Sequence, residues 1–233
     1  MEILYEDNHL IVINKSSSDL VQGDRTGDIS LDNRVKEYIK KKYNKPGEVY
    51  LGVAHRLDRP VTGAVVFART SKALERLNRM FQEQQIKKIY WAVVRDRPEM
   101  EQGELTNFIR RNPEKNKSHI SLSSRKGARE ARLRYSLVGS TNNYYFLEIE
   151  LFTGRHHQIR CQLANIGCPI KGDMKYGFPR SNKNGGIHLH ARKISFIHPV
   201  RKTPLSITAD PPRDALWDEF INQTGSLPGE LKG

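Results

Sequence analysis

The sequence predicts an α+β fold with a mixed, largely antiparallel central sheet and flanking helices, and three observations carry the prediction. Short runs of β-forming residues recur from one end of the chain to the other. Two stretches among them repeat apolar residues every three or four positions, the helical period. Two alternating segments flank the turn-prone pair Asn142-Asn143, which marks an antiparallel hairpin rather than a strand-helix-strand crossover.

In order, residues 4–7 and 10–14 form two short strands around an Asp7-Asn8 turn, and Ser16-Ser17-Ser18-Asp19 breaks the pattern. From Leu31, apolar Val35, Tyr38 and Ile39 followed by lysines 40–42 predict a helix whose last turn carries the charge its dipole favours, with Pro46-Gly47 closing it. Residues 49–54 and 61–68 are strand-like and flank the charged turn His55-Arg56-Leu57-Asp58-Arg59-Pro60. Leu74, Leu77, Met80 and Phe81 predict a helix over 71–84 behind a Thr70 or Ser71 cap, and 89–94 is a strand. Residues 100–131, with few apolar side chains and much charge, are expected to be a loop-rich basic excursion. Residues 133–137 and 145–151 alternate as a hairpin. A helix over 154–166 follows a Thr153 cap, ended by Gly167 and Pro169. A glycine- and lysine-rich loop covers 172–186, strands are expected at 189–197 and 205–208, and a last helix at 217–221.

The chain has 233 residues and 37% hydrophobic content, enough for one substantial core, so residues 1–233 are expected to be a single domain. Lys plus Arg number 39 against 26 Asp plus Glu, a net charge of +13 that favours a polyanionic partner. No apolar run approaches the roughly 18 residues of a membrane span, and Met1-Glu2-Ile3-Leu4 does not open a signal peptide, so no membrane partner and a cytoplasmic location are expected. The two cysteines, Cys161 and Cys168, cannot make a disulfide framework, and neither is placed to act as a nucleophile.

The sequence lacks the GxGxxG, GxxxxGK[ST] and HExxH patterns of dinucleotide, P-loop and metalloprotease sites. His188 and His190 have a spacing that can ligate zinc, but no carboxylate or cysteine pair completes a site, so no metal is expected and these histidines, with His156 and His157, read as polar or RNA-facing. Two clusters stand out. In the turn 55–60, two arginines and an imidazole surround Asp58 and favour its ionised form; an ion-paired turn is the plainer reading. In Gly154-Arg155-His156-His157-Gln158-Ile159-Arg160, cations in the first turn of a helix oppose its dipole unless an anion, a phosphate or the Asp58 carboxylate, sits nearby; the plainer reading is a solvated basic face.

These residues belong to an ordered set. Asn14-Lys15 is followed by His55-Arg56-Leu57-Asp58 with Thr62-Gly63, then Lys88-Ile89-Tyr90, then 153–160. Pro169-Ile170-Lys171-Gly172-Asp173 with Tyr176-Gly177 comes next, and Leu189-His190-Ala191 leads to Phe196 and His198-Pro199. In this the chain resembles the RluA-type pseudouridine synthases over nearly its whole length, and it is expected to be a catalytic domain without the S4-like domain that some members carry. It departs from the usual family pattern at Ser16-Ser17-Ser18, at Val61 and at Gln162. The resemblance implies the pseudouridine synthase fold with a catalytic cleft, and an isomerase that converts uridine to pseudouridine in structured RNA, large-subunit rRNA or tRNA, with no cofactor.

By the same resemblance Asp58 is the nucleophile, Arg160 pairs with it, and Tyr90 stacks on the target base. Arg56 enters the space that a flipped base leaves. His55, Lys88, Arg155, His157, Lys171 and Lys175, with the basic residues of 110–134 and Arg180, are expected at the RNA. The protein is expected to act as a monomer and not on DNA. Two other readings compete. A binding module without catalysis has no use for Asp58, Tyr90 and Arg160 together, and a glycoside or nucleoside hydrolase normally needs two carboxylates where one stands in a persuasive setting.

Overall fold

Eleven strands and four α-helices are formed among the residues described in the computed structural model, 1–23, 27–124 and 127–224. In chain order they are β1 (Glu2–Glu6), β2 (Leu10–Lys15), α1 (Leu31–Lys42), β3 (Gly52–Val53), β4 (Thr62–Ala68), α2 (Ser71–Gln82), β5 (Lys87–Val94), β6 (Gln102–Asn112) and β7 (Lys117–Ser121). Then come β8 (Arg129–Ser140), β9 (Tyr145–Leu151), α3 (Gln158–Asn165), β10 (Leu189–Ile197), β11 (Pro204–Thr208) and α4 (Ala215–Thr224). No helix among the described residues is long and apolar enough to cross a membrane. The chain divides into two compact units, one of Met1–Lys88, Asn184–Gly186 and Ala191–Asp210, the other of Ile89–Lys183, Ile187–His190 and Pro211–Gly233.

The first unit orders its strands β1-β2-β4-β10, with β3 on β4 and β11 on β10. β2 and β4 are buried on both faces, which is why they read as continuous apolar runs rather than as alternation. Leu10, Val12, Ala64, Val66 and Ala68 pack against Ala73 and Leu77 of α2. Truncating a buried leucine such as Leu77 to alanine costs about 2–5 kcal/mol. The Thr70 hydroxyl caps α2 by accepting from the Ala73 N–H at 3.2 Å, as the sequence predicts, although the helix ends at Gln82 and not at 84. Of the strand expected over 49–54, two residues pair, Gly52 with Ala68 and Val53 with Phe67.

The second unit orders its strands β5-β9-β8-β6-β7, with the β5–β9, β9–β8, β8–β6 and β6–β7 pairs all antiparallel. The loop-rich excursion expected over 100–131 is corrected here: it is mostly sheet, β6, β7 and the start of β8. Sequence patterning missed it because opposite charges replace β-formers on the outer face. Glu104 stands opposite Arg134 in register, with Arg132 and Arg134 within 3.3 and 3.6 Å of its carboxylate. On the inner face Ile109, Ala131, Cys161 and Tyr176 form a small core beneath α3. Arg125 and Lys126, within the basic stretch, lie outside the described residues. A second core joins Trp91, Val93 and Phe146 to Trp217 and Phe220 of α4, longer than the helix expected over 217–221.

Helix α3 also corrects the sequence. It begins at Gln158, four residues later than expected, because His157 takes a left-handed conformation (φ 54°) that no helix turn accepts. Thr153 therefore does not cap the helix. Its hydroxyl donates to Gln158 Oε1 at 2.7 Å, and the same oxygen accepts from the Arg155 N–H at 3.0 Å, holding 153–158 as a tight turn.

Candidate active site

The apolar run of β2 ends in a lysine, and that lysine organises the charged turn. Lys15 is 1% exposed, and its ammonium donates to the carbonyls of Ser16 (2.9 Å), Arg59 (2.9 Å) and Val61 (2.7 Å). Two of those carbonyls lie just beyond Asp58, and the Val61 N–H closes the turn onto the Asp58 carbonyl at 3.0 Å. Burial pulls the Lys15 pKa down to about 8, opposed by the charges of Asp19 and Asp58. A buried cation thus sits beneath the turn, and its three donors match its three acceptors. The sequence signals for it are the pair Asn14-Lys15 and a lysine closing a strand that opens with four apolar residues.

Gly63 explains the glycine after Thr62. Its φ is +115°, and a side-chain carbon there would stand 2.6 Å from the backbone nitrogen of Ala191. Only glycine lets the two backbones approach this closely. The other residues of the turn diverge in environment. Arg56 is exposed and Asp58 half-buried. His55, expected at the RNA, also serves the fold: its Nε2 accepts from the Val66 N–H at 3.0 Å, and its ring packs 5.0 Å from Phe81. It takes over as acceptor for β4 where the pairing with β3 stops. Burial, with the nearby Lys88 charge, lowers its pKa to about 3, so it is neutral.

In the second unit Tyr90 is 9% exposed on β5, opposite Ile149 of β9. Arg160 lies on α3 and is buried, and the anion that its place in the helix demands includes one the sequence reading did not name. Asp173 accepts from Arg160 Nε at 2.7 Å and Nη2 at 2.8 Å, and the two side chains are 5% and 1% exposed. Tyr176 lies beneath the guanidinium, 5.1 Å from its ring centre. The Tyr176 hydroxyl accepts from the Ser118 N–H at 2.8 Å and stands 2.9 Å from His157 Nδ1. His157 is consequently a buried structural residue rather than a surface contact for RNA. Burial and the Arg160 charge push its pKa far down. Both Asp173 and Tyr176 stand in the motif stretch after α3, which is the one signal that could have singled them out.

Arg155 is half-buried, with Nε donating to the Glu130 carbonyl at 2.7 Å. Lys175 is exposed and reaches the Asn116 carbonyl at 3.1 Å. Lys171 donates to Asn182 Oδ1 at 2.6 Å. Lys88 is half-buried on β5. His188 and His190, read as polar or RNA-facing, are 5% and 0% exposed against Trp217. His188 lies 3.0 Å from Asp214 and from the Asn182 side chain. Among the described residues no group of three or more histidine, cysteine or acidic side chains could hold a metal ion.

Known proteins resemble the chain in sequence and in fold. Residues 9–165 match the RNA pseudouridylate synthase family. An uncharacterized RNA pseudouridine synthase of Synechocystis is 35% identical over 224 residues, 95% of this chain and 68% of that protein. The tRNA pseudouridine synthase C of Salmonella typhi is 30% identical over 251 residues, 97% of this chain and 90% of its own. The solved structure of human RNA pseudouridylate synthase domain containing 4 superposes with a TM-score of 0.76 at 25% identity, covering 95% of this chain and 92% of that one. Of two further relatives the chain spans 53% and 66% of the length.

Proposed function

The chain belongs to the RNA pseudouridylate synthase family, isomerases that convert uridine to pseudouridine in RNA, and from that premise we propose that Asp58 is the nucleophile of the isomerisation. The substrate is a uridine of structured tRNA or large-subunit rRNA. The observation that carries the reading is the family match over 9–165, a span within which Asp58, Tyr90 and Arg160 all lie.

The reaction breaks the bond between uracil N1 and ribose C1′, turns the base and joins C1′ to C5. The C5 proton is lost and N1 gains one, so the product is an isomer and no cofactor is consumed. Addition of Asp58 to C6, attack at C1′ and elimination to a glycal all start from an ionised carboxylate. Lys15, beneath the Asp58 turn, supports that charge and fixes the backbone that carries it. Arg160 is the proposed partner of Asp58. A guanidinium has five donors in a rigid fork, and Asp173 engages its Nε and Nη2, so Arg160 is oriented before substrate arrives. Tyr90 stacks on the uracil and takes part in proton transfer at C5. Because a stacked uridine cannot reach such groups, the nucleotide is flipped out, and the exposed Arg56 fills the gap with its planar guanidinium.

The test is release of tritium from RNA labelled at C5 of uridine. Wild-type protein is expected to release tritium without chain cleavage or free uracil, and Asp58→Asn, which keeps size and hydrogen bonding, to release none while RNA affinity is unchanged. Turnover of Asp58→Asn within tenfold of wild type would remove Asp58 from the chemistry. Free uracil would reassign the protein as a hydrolase.

A further inference from the structure

The inner face of the β6–β7–β8 ribbon changes character along its length. Near α3 it carries Ile109 and Ala131, both buried. Beyond them, on the same face by the two-residue period of a strand, come Arg111 on β6 and Arg129 on β8. Arg129 stands opposite Ile109, and Arg111 opposite Ser118 of β7. The turn before α3 lies over this end of the ribbon, held by Ser118. The Ser118 hydroxyl donates to the His156 carbonyl at 2.8 Å and stands 2.9 Å from His156 Nδ1. A pocket of about 370 Å³ opens between turn and ribbon, and Arg111, Arg129, Arg155 and His156 line it with Ser118 and Ile109.

The pocket's charge is one-sided. Among the described residues eight line it, of which three are arginines and none is acidic. Arg132 and Arg134, on the outer face of the same ribbon, have Glu104 and Glu150 as ion-pair partners. Neither Arg111 nor Arg129 has a carboxylate partner among the described residues. Arg155 is aimed from above by its bond to the Glu130 carbonyl, and the Glu130 carboxylate, one residue along from Arg129, belongs to the outer face. Guanidinium groups converging on a concavity without a carboxylate recognise phosphate. The volume, within the range of small-ligand pockets, admits a phosphate with its ribose and not merely a bare ion.

We propose that this pocket seats a backbone phosphodiester of the RNA, clamped by Arg111, Arg129 and Arg155, as an anchoring contact that carries no base specificity. The proposal rests on RNA being the substrate. It does not depend on which residue performs the isomerisation, since the pocket contains neither Asp58, Tyr90 nor Arg160.

The test is the salt dependence of binding to a fluorescein-labelled RNA stem-loop of arbitrary sequence, between about 50 and 200 mM KCl. The double variant Arg111→Gln, Arg129→Gln is expected to lower the slope of log K against log salt by about 0.7 or more, the worth of one phosphate contact. A control, Lys72→Gln with Arg79→Gln, removes the same charge from the exposed face of α2 and is expected to leave the slope unchanged. An unchanged slope in the ribbon variant, or an equal fall in the control, overturns the proposal. Equilibrium dialysis against inorganic phosphate and against uridine monophosphate separates the two sources of a phosphate group. Saturable one-to-one binding of either, lost in the ribbon variant, would make this a small-anion site and refute the RNA assignment. Tritium release by the wild-type protein is read in parallel: no release alongside a reduced slope would sink the isomerase reading and leave the pocket standing, whereas release with an unchanged slope would do the reverse.

Discussion

Replacing Asp173 by alanine tests how Arg160 is held. Both side chains are almost wholly buried and meet through two bonds of 2.7 and 2.8 Å, so the arginine keeps its charge inside the protein largely because the carboxylate is there. Removing one partner of a buried pair typically costs about 3–5 kcal/mol, mostly the penalty of a stranded charge. For a chain of 150–250 residues each kcal/mol moves the melting temperature by about 2–4 °C, so Asp173→Ala should melt about 6–20 °C below wild type. Asp173→Asn retains an acceptor but not the charge and should fall between. Because an apolar pair of similar volume does not strand a charge, Arg160→Met with Asp173→Leu should recover most of the stability and none of the activity. Urea unfolding compares the stabilities of the four proteins, with tritium release measured on each. Asp173→Ala within about 1 kcal/mol of wild type would refute the reasoning, since it would mean that the other partners of Arg160 hold the buried guanidinium without Asp173.

Three further outcomes are expected. His55 has a pKa of about 3 in the fold against 6.5 for an ordinary histidine, so its contribution is complete above pH 6.5 and is lost as the pH falls toward 3. His55→Gln keeps an acceptor for the Val66 N–H but binds no proton, so its urea midpoint should fall less over that window; parallel profiles would contradict the neutral acceptor. Gly63→Ala puts a methyl group onto the Ala191 backbone at positive φ and should destabilise by several kcal/mol, on the order of 3 or more, as seen by thermal melting; near-wild-type stability would mean that the two backbones can separate. Arg56→Ala should slow single-turnover modification of a uridine in a stem-loop far more than of one in a short single strand, and Arg56→Lys should rescue poorly; equal losses on the two RNAs would end the flipping role.

Sequence patterning located most elements because their cause is local. The apolar runs of β2 and β4, the three- and four-residue period of α2 with its Thr70 cap, and the alternation of β8 and β9 are each written within a dozen residues. The ordered motifs from Asn14-Lys15 to His198-Pro199 made the family legible for a related reason, since residue types and order survive without any coordinates. What patterning could not reach depends on partners distant in the chain. Strand 102–112 looks like loop because charge pairs across the ladder to β8 do the work that β-branched residues do elsewhere. The start of α3 is decided by one left-handed residue, His157, which is buried against Tyr176 nineteen positions on. Lys15 acquires its role only when the chain brings residues 59 and 61 to its ammonium, and Asp173 only when it meets Arg160. Residue chemistry and order were enough to say which family this chain joins; which charges are neutralised, and by which groups, was decided by tertiary structure, because burial and pairing are properties of positions in space rather than along the chain.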